Sequence, residues 1–422
     1  MTTMSTTQPD VGNWGSLYDA LQQAGVKIPT GPNSQFQFVT TPTVAAWSDT
    51  NGLYWGDYFG NYPSADMGPS FNRGVSTVSD AYYDFINSLE YPDPSTDPKY
   101  QQLTAQQRNL TTQLANEGTA AVGAYKAWIA NGGPDTFPAV KTITDWLASD
   151  LTGGSQYQTT LDQLRAQLNN VNTQLVPFQT GSGKAITQAI ANAAPSNMVS
   201  VAIPNSGGLT KKVYSQSISP DLAPLLAEWL AGQKSNFVQV TLTSNSSYSG
   251  DWYIEGAGSS DFFDGFFGFF AEGEATYSKN VERDTHFKCT VEVQALSTFA
   301  VVRNGWFDGA LVAEYPNGPW AGKTADQYFG PLGTLKLVPS QLLVAYGISI
   351  ALTVSAETMT DVKTQTEAAG GILIGPFFIG AEEFSKSEVV TNSDGSQTIN
   401  VNSTDNNPYV IGVLSTSFYN GD

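Results

Sequence analysis

Two segments of this chain are similar enough to indicate an internal duplication, and a duplication limits the fold more than any other feature. Residues 268–279 read GFFAEGEATYSK and residues 376–386 read PFFIGAEEFSK, so that they align with a single gap. The flanks match as well, 238–242 with 348–352 and 298–302 with 408–412. Apolar residues alternate in the upstream flanks, which is typical of strands. We therefore expect two related β-units that pack together and leave a ligand or partner site between them.

The remainder of the chain divides by composition into two further parts. Residues 1–97 are rich in aromatic residues and glycine, which predicts an irregular N-terminal segment. The proline cluster at 91–98 then breaks any regular element. We predict a helical hairpin or small bundle over 98–195 and a β-rich domain over 196–422. Its two repeats cover about 236–307 and 347–418, and the predicted fold class is α+β with a duplicated antiparallel β domain.

Two series of apolar residues at helical spacing lie within the region 98–195, one in its first half and one in its second half. The first series is Leu103, Leu110, Leu114, Ala121 and Trp128, and the second is Tyr157, Leu161, Leu164, Leu168, Val171 and Leu175. Spacings of three, four and seven predict two long amphipathic helices that pack against each other. The alternative is an arm that projects and contacts another subunit. Gln107 weakens the seam of the first helix.

Shorter signals predict individual turns and helix ends. The pair Asp394 and Gly395 favours a tight β-hairpin turn, and the equivalent turn of the first repeat is predicted at 282–284. A short helix is predicted over 14–24, with Asn13 as its N-cap and Gly25 after its end. Arg303 is expected to stack on Trp306 or to pair with Asp308.

Charge and cysteine content exclude several partners. The formal charge of −19 repels phosphate backbones, so nucleic acid is not expected as a partner. Only 14% of residues are charged, against roughly 25% in typical soluble domains. Such a polar but weakly charged surface favours a protein partner or a second copy of the chain. The first ten residues lack the basic and apolar regions of a secretory signal, which predicts a cytoplasmic or non-classically exported protein.

The single histidine and single cysteine argue against common catalytic devices. A Ser-His-Asp or Cys-His arrangement would require His286, and Cys289 follows it at a spacing that places the two side chains on opposite faces of a strand. One cysteine also excludes an intrachain disulfide and a multi-cysteine metal site. The segment 180–185 lacks the spacing of a phosphate-binding loop. No cofactor and no metal site are predicted.

Carboxylates remain as candidates for chemistry. The repeat alignment places Glu274 opposite Glu382. Glycoside hydrolases use a pair of carboxylates together with aromatic platforms. This pair therefore makes a carboxylate-dependent glycoside hydrolase, with a carbohydrate ligand, one alternative function.

The most unusual composition is the phenylalanine-rich segment, residues 261–270. Its six aromatic side chains are Phe262, Phe263, Phe266, Phe267, Phe269 and Phe270. A segment that is apolar on all sides is typical of a core between two β-units, but exposed phenylalanines would make a membrane-contact or partner-docking loop. This second interpretation, together with the Ser- and Thr-rich hairpin at 384–411, describes a membrane-active, toxin-like protein. The leading prediction is a non-catalytic binding or self-assembly protein, as a component or cargo of a larger particle.

Overall fold

The computed structural model is an α+β protein with antiparallel sheets and a pair of long helices. The residues that it describes are 9–26, 28, 33–39, 53–65, 68–71, 73–74, 76–90, 98–140, 142–178, 182–203, 209–246, 265–271, 274–403 and 408–418.

The described α-helices number fourteen. They are α1 (Pro9–Gln23), α2 (Leu53–Gly60), α3 (Val78–Ser88), α4 (Pro98–Ala130), α5 (Gly133–Thr136), α6 (Ile143–Leu147), α7 (Ser155–Leu175), α8 (Ser182–Asn192), α9 (Leu222–Leu230), α10 (Lys279–Glu282), α11 (Gly309–Glu314), α12 (Ala325–Phe329), α13 (Ala356–Ala369) and α14 (Ala381–Lys386).

Fourteen strands are described as well. They are β1 (Ser34–Phe38), β2 (Met198–Ala202), β3 (Thr210–Tyr214), β4 (Gln216–Ser219), β5 (Val238–Thr243), β6 (Phe267–Ala271), β7 (Glu274–Tyr277), β8 (Lys288–Arg303), β9 (Leu337–Ser355), β10 (Gly371–Ile374), β11 (Phe377–Gly380), β12 (Val389–Thr391), β13 (Ser396–Asn402) and β14 (Tyr409–Ser417).

Two long strands form the centre of the main sheet. β8 and β9 pair antiparallel, from Lys288 opposite Thr353 to Ala300 opposite Gln341. The outer side of β8 pairs with β5 and then with β4, while the outer side of β9 pairs with β14 and then with β13. β1 and β12 complete the sheet beyond β14 and β13. Because side chains alternate along a strand, Cys289, Val291 and Val293 all enter the same core.

A second sheet of four strands packs on this core. Its order is β11-β10-β6-β7, so that the β6–β7 and β10–β11 hairpins meet along β6 and β10. Gly375 adopts a positive φ of 58° in the turn between β10 and β11, a conformation that glycine favours. β8 runs without interruption from Lys288 to Arg303.

The structure does not show the predicted duplication at the level of aligned residues. Residues 268–271 lie in β6, the first strand of its hairpin, whereas the aligned residues 377–379 lie in β11, the second strand of its hairpin. The predicted turn at 282–284 is also wrong, because Lys279–Glu282 forms a short helix that leads into β8. The hairpin turn at Asp394 and Gly395 is confirmed, with β12 and β13 pairing on either side.

The two predicted long helices are confirmed as α4 and α7. Leu103, Leu110 and Leu114 of α4 share a core with Leu161 and Leu168 of α7. Gln107 is buried at the seam, where its side-chain amide donates to Asn172 Oδ1 over 2.9 Å. The seam therefore contains a satisfied polar pair, which is compatible with burial because both groups are hydrogen-bonded.

The N-terminal segment is more regular than predicted, since α1, α2, α3 and β1 all lie within it. The helix predicted over 14–24 begins at Pro9, so Asn13 lies inside α1 and does not cap it. Asn13 Nδ2 donates instead to Glu282 Oε2 at 3.3 Å. Gly25 follows the helix end with a φ of 84°, in agreement with the prediction.

Candidate functional site

The described part of the phenylalanine-rich segment lies in the core. Phe266 and Phe267 have no solvent exposure, and Phe269 is buried as well. Phe270 is half-buried and contacts the Phe378 ring at 5.5 Å. Phe262 and Phe263 lie outside the described residues. The four described phenylalanines thus contribute mainly to packing between the two sheets.

A buried carboxylate organises the start of this segment. Glu282 is fully buried, and its Oε1 accepts hydrogen bonds from the backbone N–H groups of Phe266 and Phe267 at 2.5 and 2.9 Å. These bonds, together with the one from Asn13, supply the polar partners that a buried carboxylate requires. Sequence reasoning placed Glu282 in a turn and missed its buried role, because its hydrogen-bond partners lie at distant positions in the chain.

The two aligned acids occupy dissimilar elements. Glu274 is the first residue of β7 and its side chain is outside the described set, whereas Glu382 lies on α14. The exposed Glu382 carboxylate accepts a hydrogen bond from Lys386, one turn further along the helix. That hydrogen bond and the lysine charge lower the pKa of Glu382. A glycosidase general acid needs a raised pKa, so this environment is not the one that such chemistry uses.

The single histidine and the single cysteine differ in solvent exposure. His286 is exposed and precedes β8, whereas Cys289 is fully buried within the strand. Burial and the nearby Glu282 raise the pKa of Cys289, so its thiol stays protonated. Among the described residues, no three His, Cys, Asp or Glu side chains come together as a metal site would require.

A concave surface with mixed polar and apolar lining follows one side of α4, and we call it the helical groove. It consists of two adjoining cavities of about 370 and 510 Å³, which share Ala115 and Lys323 in their walls. The apolar lining of the first cavity comes from four helices: Ala81, Leu114, Ala121, Val122, Ile143, Leu147 and Leu161. The second cavity is more polar and is lined by Arg108, Thr111, Asn116 and Gln327, among others.

Three ion pairs follow the groove. Asp80 on α3 pairs with Arg165 on α7, Asp84 on α3 pairs with Lys323 at 2.8 Å, and Glu90 faces Arg108 on α4 at 3.6 Å. Burial opposes the charge of Arg165, but the Asp80 carboxylate together with other nearby acidic groups outweighs burial, and the pKa of Arg165 is raised. Each pair joins two different elements, so the groove presents both charges at positions fixed by the fold.

Two exposed leucines lie in the segments that border the groove. Leu151 is 79% exposed and follows α6, which contributes Ile143, Thr144 and Leu147 to the lining. Leu332 is 80% exposed and lies two residues before Thr334, another lining residue. Isolated exposed leucines are ordinary on protein surfaces, but leucines beside a groove add apolar area to a contact.

The predicted contacts of Arg303 are wrong. Its guanidinium lies 5.1 Å from the ring centre of Phe307 and not on Trp306. Asp308 does not pair with it, because Asp308 Oδ1 accepts the backbone N–H groups of Ala310 and Leu311 as the N-cap of α11. Capping satisfies N–H groups that would otherwise be orphaned at the helix start.

Comparisons with protein-family models, with curated proteins and with solved structures found no match to this chain. None of the described helices combines the length and the hydropathy needed to cross a bilayer.

Proposed function

We propose that this chain is a non-catalytic binding protein that self-associates through the helical groove, as a component of a larger assembly. The observation that carries the proposal is the groove itself. Its apolar floor would bury hydrocarbon area from a partner, and its fixed ion pairs would provide directional contacts at the rim. This combination of apolar core and polar rim is the usual anatomy of a protein interface.

A second copy of the chain is the occupant that the surface favours. Leu151 and Leu332 are exposed and belong to segments that contribute lining residues to the groove, and in a self-complementary contact such side chains would enter the recess of the other copy. The low content of charged residues also reduces the desolvation that opposes association. No geometry among the described residues favours the membrane-active or the glycoside hydrolase alternative.

Light scattering coupled to size-exclusion chromatography tests the proposal with two glycines of α4. Gly118 lines the groove and Gly123 does not, and a Cβ added at either position meets no atom within 4 Å. We expect wild-type protein to be oligomeric, G118W to shift toward the monomer, and the matched control G123W to behave as wild type. A monomeric wild type throughout the concentration series, or G118W with unchanged mass, would refute self-association through this groove.

We also infer that the β-rich part arose by duplication in a different register from the sequence alignment. Both halves contain a strand, a hairpin, a short helix and a returning strand, in that order. The first half consists of β5, the β6–β7 hairpin, α10 and β8, and the second half of β9, the β10–β11 hairpin, α14 and β13. In both halves the returning strand pairs antiparallel with the first. The second half also contains α13 and β12; residues 247–264, which lie between β5 and β6 in the first half, are outside the described residues. A crystal structure in which hairpin and helix of one half cannot be superposed on those of the other would contradict this inference.

A further inference from the structure

Arg303, the last residue of β8, carries a positive charge that no carboxylate among the described residues neutralises. Its Nη2 donates to the backbone carbonyl oxygens of Gly60 and Pro339 at 2.6 and 2.7 Å. The residue keeps partial solvent access, but its Nε is sealed from solvent and has no hydrogen-bond partner in the described part of the chain. Burial lowers the pKa of Arg303 to about 9. A cation held in this way is stabilised by any anion that reaches it.

The guanidinium lines a cavity of about 510 Å³, a size that is typical of small-molecule sites. Much of the wall is hydrocarbon, from Phe307, Val312, Phe329, Val338 and Phe418. Val312 is fully buried and Phe329 nearly so, which shows that this wall belongs to the packed core. The cavity therefore joins one cationic group to a preformed apolar surface.

We propose that this cavity binds an amphiphilic carboxylate, with the carboxylate on Arg303 and the hydrocarbon portion against the apolar wall. Because Nη2 already donates to two carbonyl oxygens and Nε is sealed from solvent, Nη1 is the donor group of the guanidinium that remains for the carboxylate. The net charge of −19 repels anions at long range. Burial of the hydrocarbon portion therefore contributes much of the affinity, and small inorganic or acetate-like anions bind weakly.

The site is independent of the proposed self-association. The Arg303 cavity and the helical groove share no lining residue. Failure of one proposal in experiment therefore leaves the other standing.

Isothermal titration calorimetry with decanoate, below the concentration at which it forms micelles, tests the proposal directly. We expect decanoate to bind about tenfold or more tightly than acetate and than decyltrimethylammonium, which has the same chain with the opposite charge. Within a series of shorter carboxylates, affinity should rise by about fourfold for each methylene that becomes buried. Equal binding of acetate would show a small-anion site, and equal binding of the cation would show a purely apolar site. Either result would overturn the proposal.

Two variants assign the binding to this cavity. R303K keeps the charge but loses the Nη1 donor and the two carbonyl contacts that fix the guanidinium, and we expect it to weaken decanoate binding about tenfold. A313W places a large ring in the cavity and leaves Arg303 unchanged, since Ala313 is an exposed lining residue on α11. We expect A313W to abolish binding, while A310W, at an exposed position of the same helix outside the lining, binds as wild type. Undiminished binding by A313W would place the ligand elsewhere and overturn the proposal, even if R303K failed to fold.

Discussion

The buried ion pair between Asp57 on α2 and Lys211 on β3 allows a quantitative test of how the N-terminal segment is held. The Lys211 ammonium lies 2.7 Å from Asp57 Oδ2, and the two side chains are only 1% and 2% exposed. Asp57 Oδ1 also accepts hydrogen bonds from Asn61 and Gln216 at 2.9 and 3.2 Å. Burial opposes the charge of Lys211, but the Asp57 carboxylate together with other nearby acidic groups outweighs burial and raises the pKa of Lys211. The Lys211 side chain is therefore charged at neutral pH.

Removal of one partner leaves the other charge buried. K211M leaves the Asp57 carboxylate without its cation, and D57N leaves the ammonium without its anion while an amide oxygen can still accept from Asn61. Breaking a buried pair in this way costs about 3 to 5 kcal/mol. The double variant removes both charges together. We expect its free energy of unfolding to fall by less than the sum of the single changes, with a coupling of more than about 2 kcal/mol, because neither charge is left alone.

Urea unfolding monitored by tryptophan fluorescence measures these free energies. Trp55 and Trp229 are buried in the same core as α2, so their emission reports on the relevant packing. Purely additive single and double changes, within about 0.5 kcal/mol, would refute the reasoning, because additivity means that the two charges do not interact. A loss of less than about 1 kcal/mol for K211M would refute it as well, since exposed pairs behave in that way.

Three further predictions follow from particular contacts. Replacement of the buried Glu282 by alanine should lower the free energy of unfolding by about 2 to 4 kcal/mol, because Phe266 and Phe267 lose the acceptor of their backbone N–H groups. The exposed Glu382→Ala control should leave the urea midpoint close to that of the wild type in the same assay. Burial raises the pKa of Tyr54 to about 12 and also raises the pKa of Tyr82 and Tyr214. The folded state then retains phenolic protons that the unfolded state releases near pH 10, so stability should be lost as the pH rises above about 10. The tyrosinate absorbance of Tyr54, Tyr82 and Tyr214, measured by difference from the corresponding Phe variants, should appear together with the loss of circular dichroism. Ionisation of these three residues near pH 10 in fully folded protein would contradict this. G123A should raise the free energy of unfolding by about 0.5 to 1 kcal/mol, because glycine weakens a helix interior and the added methyl group meets no neighbour. An unchanged or lower urea midpoint would contradict this prediction.

Local patterns were sufficient for the elements whose stability depends on neighbours in sequence. The leucine spacing predicted α4 and α7, and Asp394 with Gly395 predicted the β12–β13 turn, since helical faces and tight turns are defined within a few residues. α13 was missed because its apolar positions are few: only Met359, Val362 and Thr366 of its side chains are buried. Its position depends on packing beneath the second sheet, which no local pattern encodes.

The two candidate sites, the helical groove and the Arg303 cavity, were defined only by the tertiary structure. The sequence alone established the α+β composition, the low charge, and the lack of enough histidine and cysteine for several catalytic devices. It could not show that Arg303 donates to Gly60, 243 positions earlier in the chain, or that Asp80 and Arg165 meet across two helices. It also suggested a repeat register that the sheet does not follow. Contacts between distant residues are selected by the burial of apolar area and the pairing of buried polar groups over the whole chain, so they become defined only when the chain is folded.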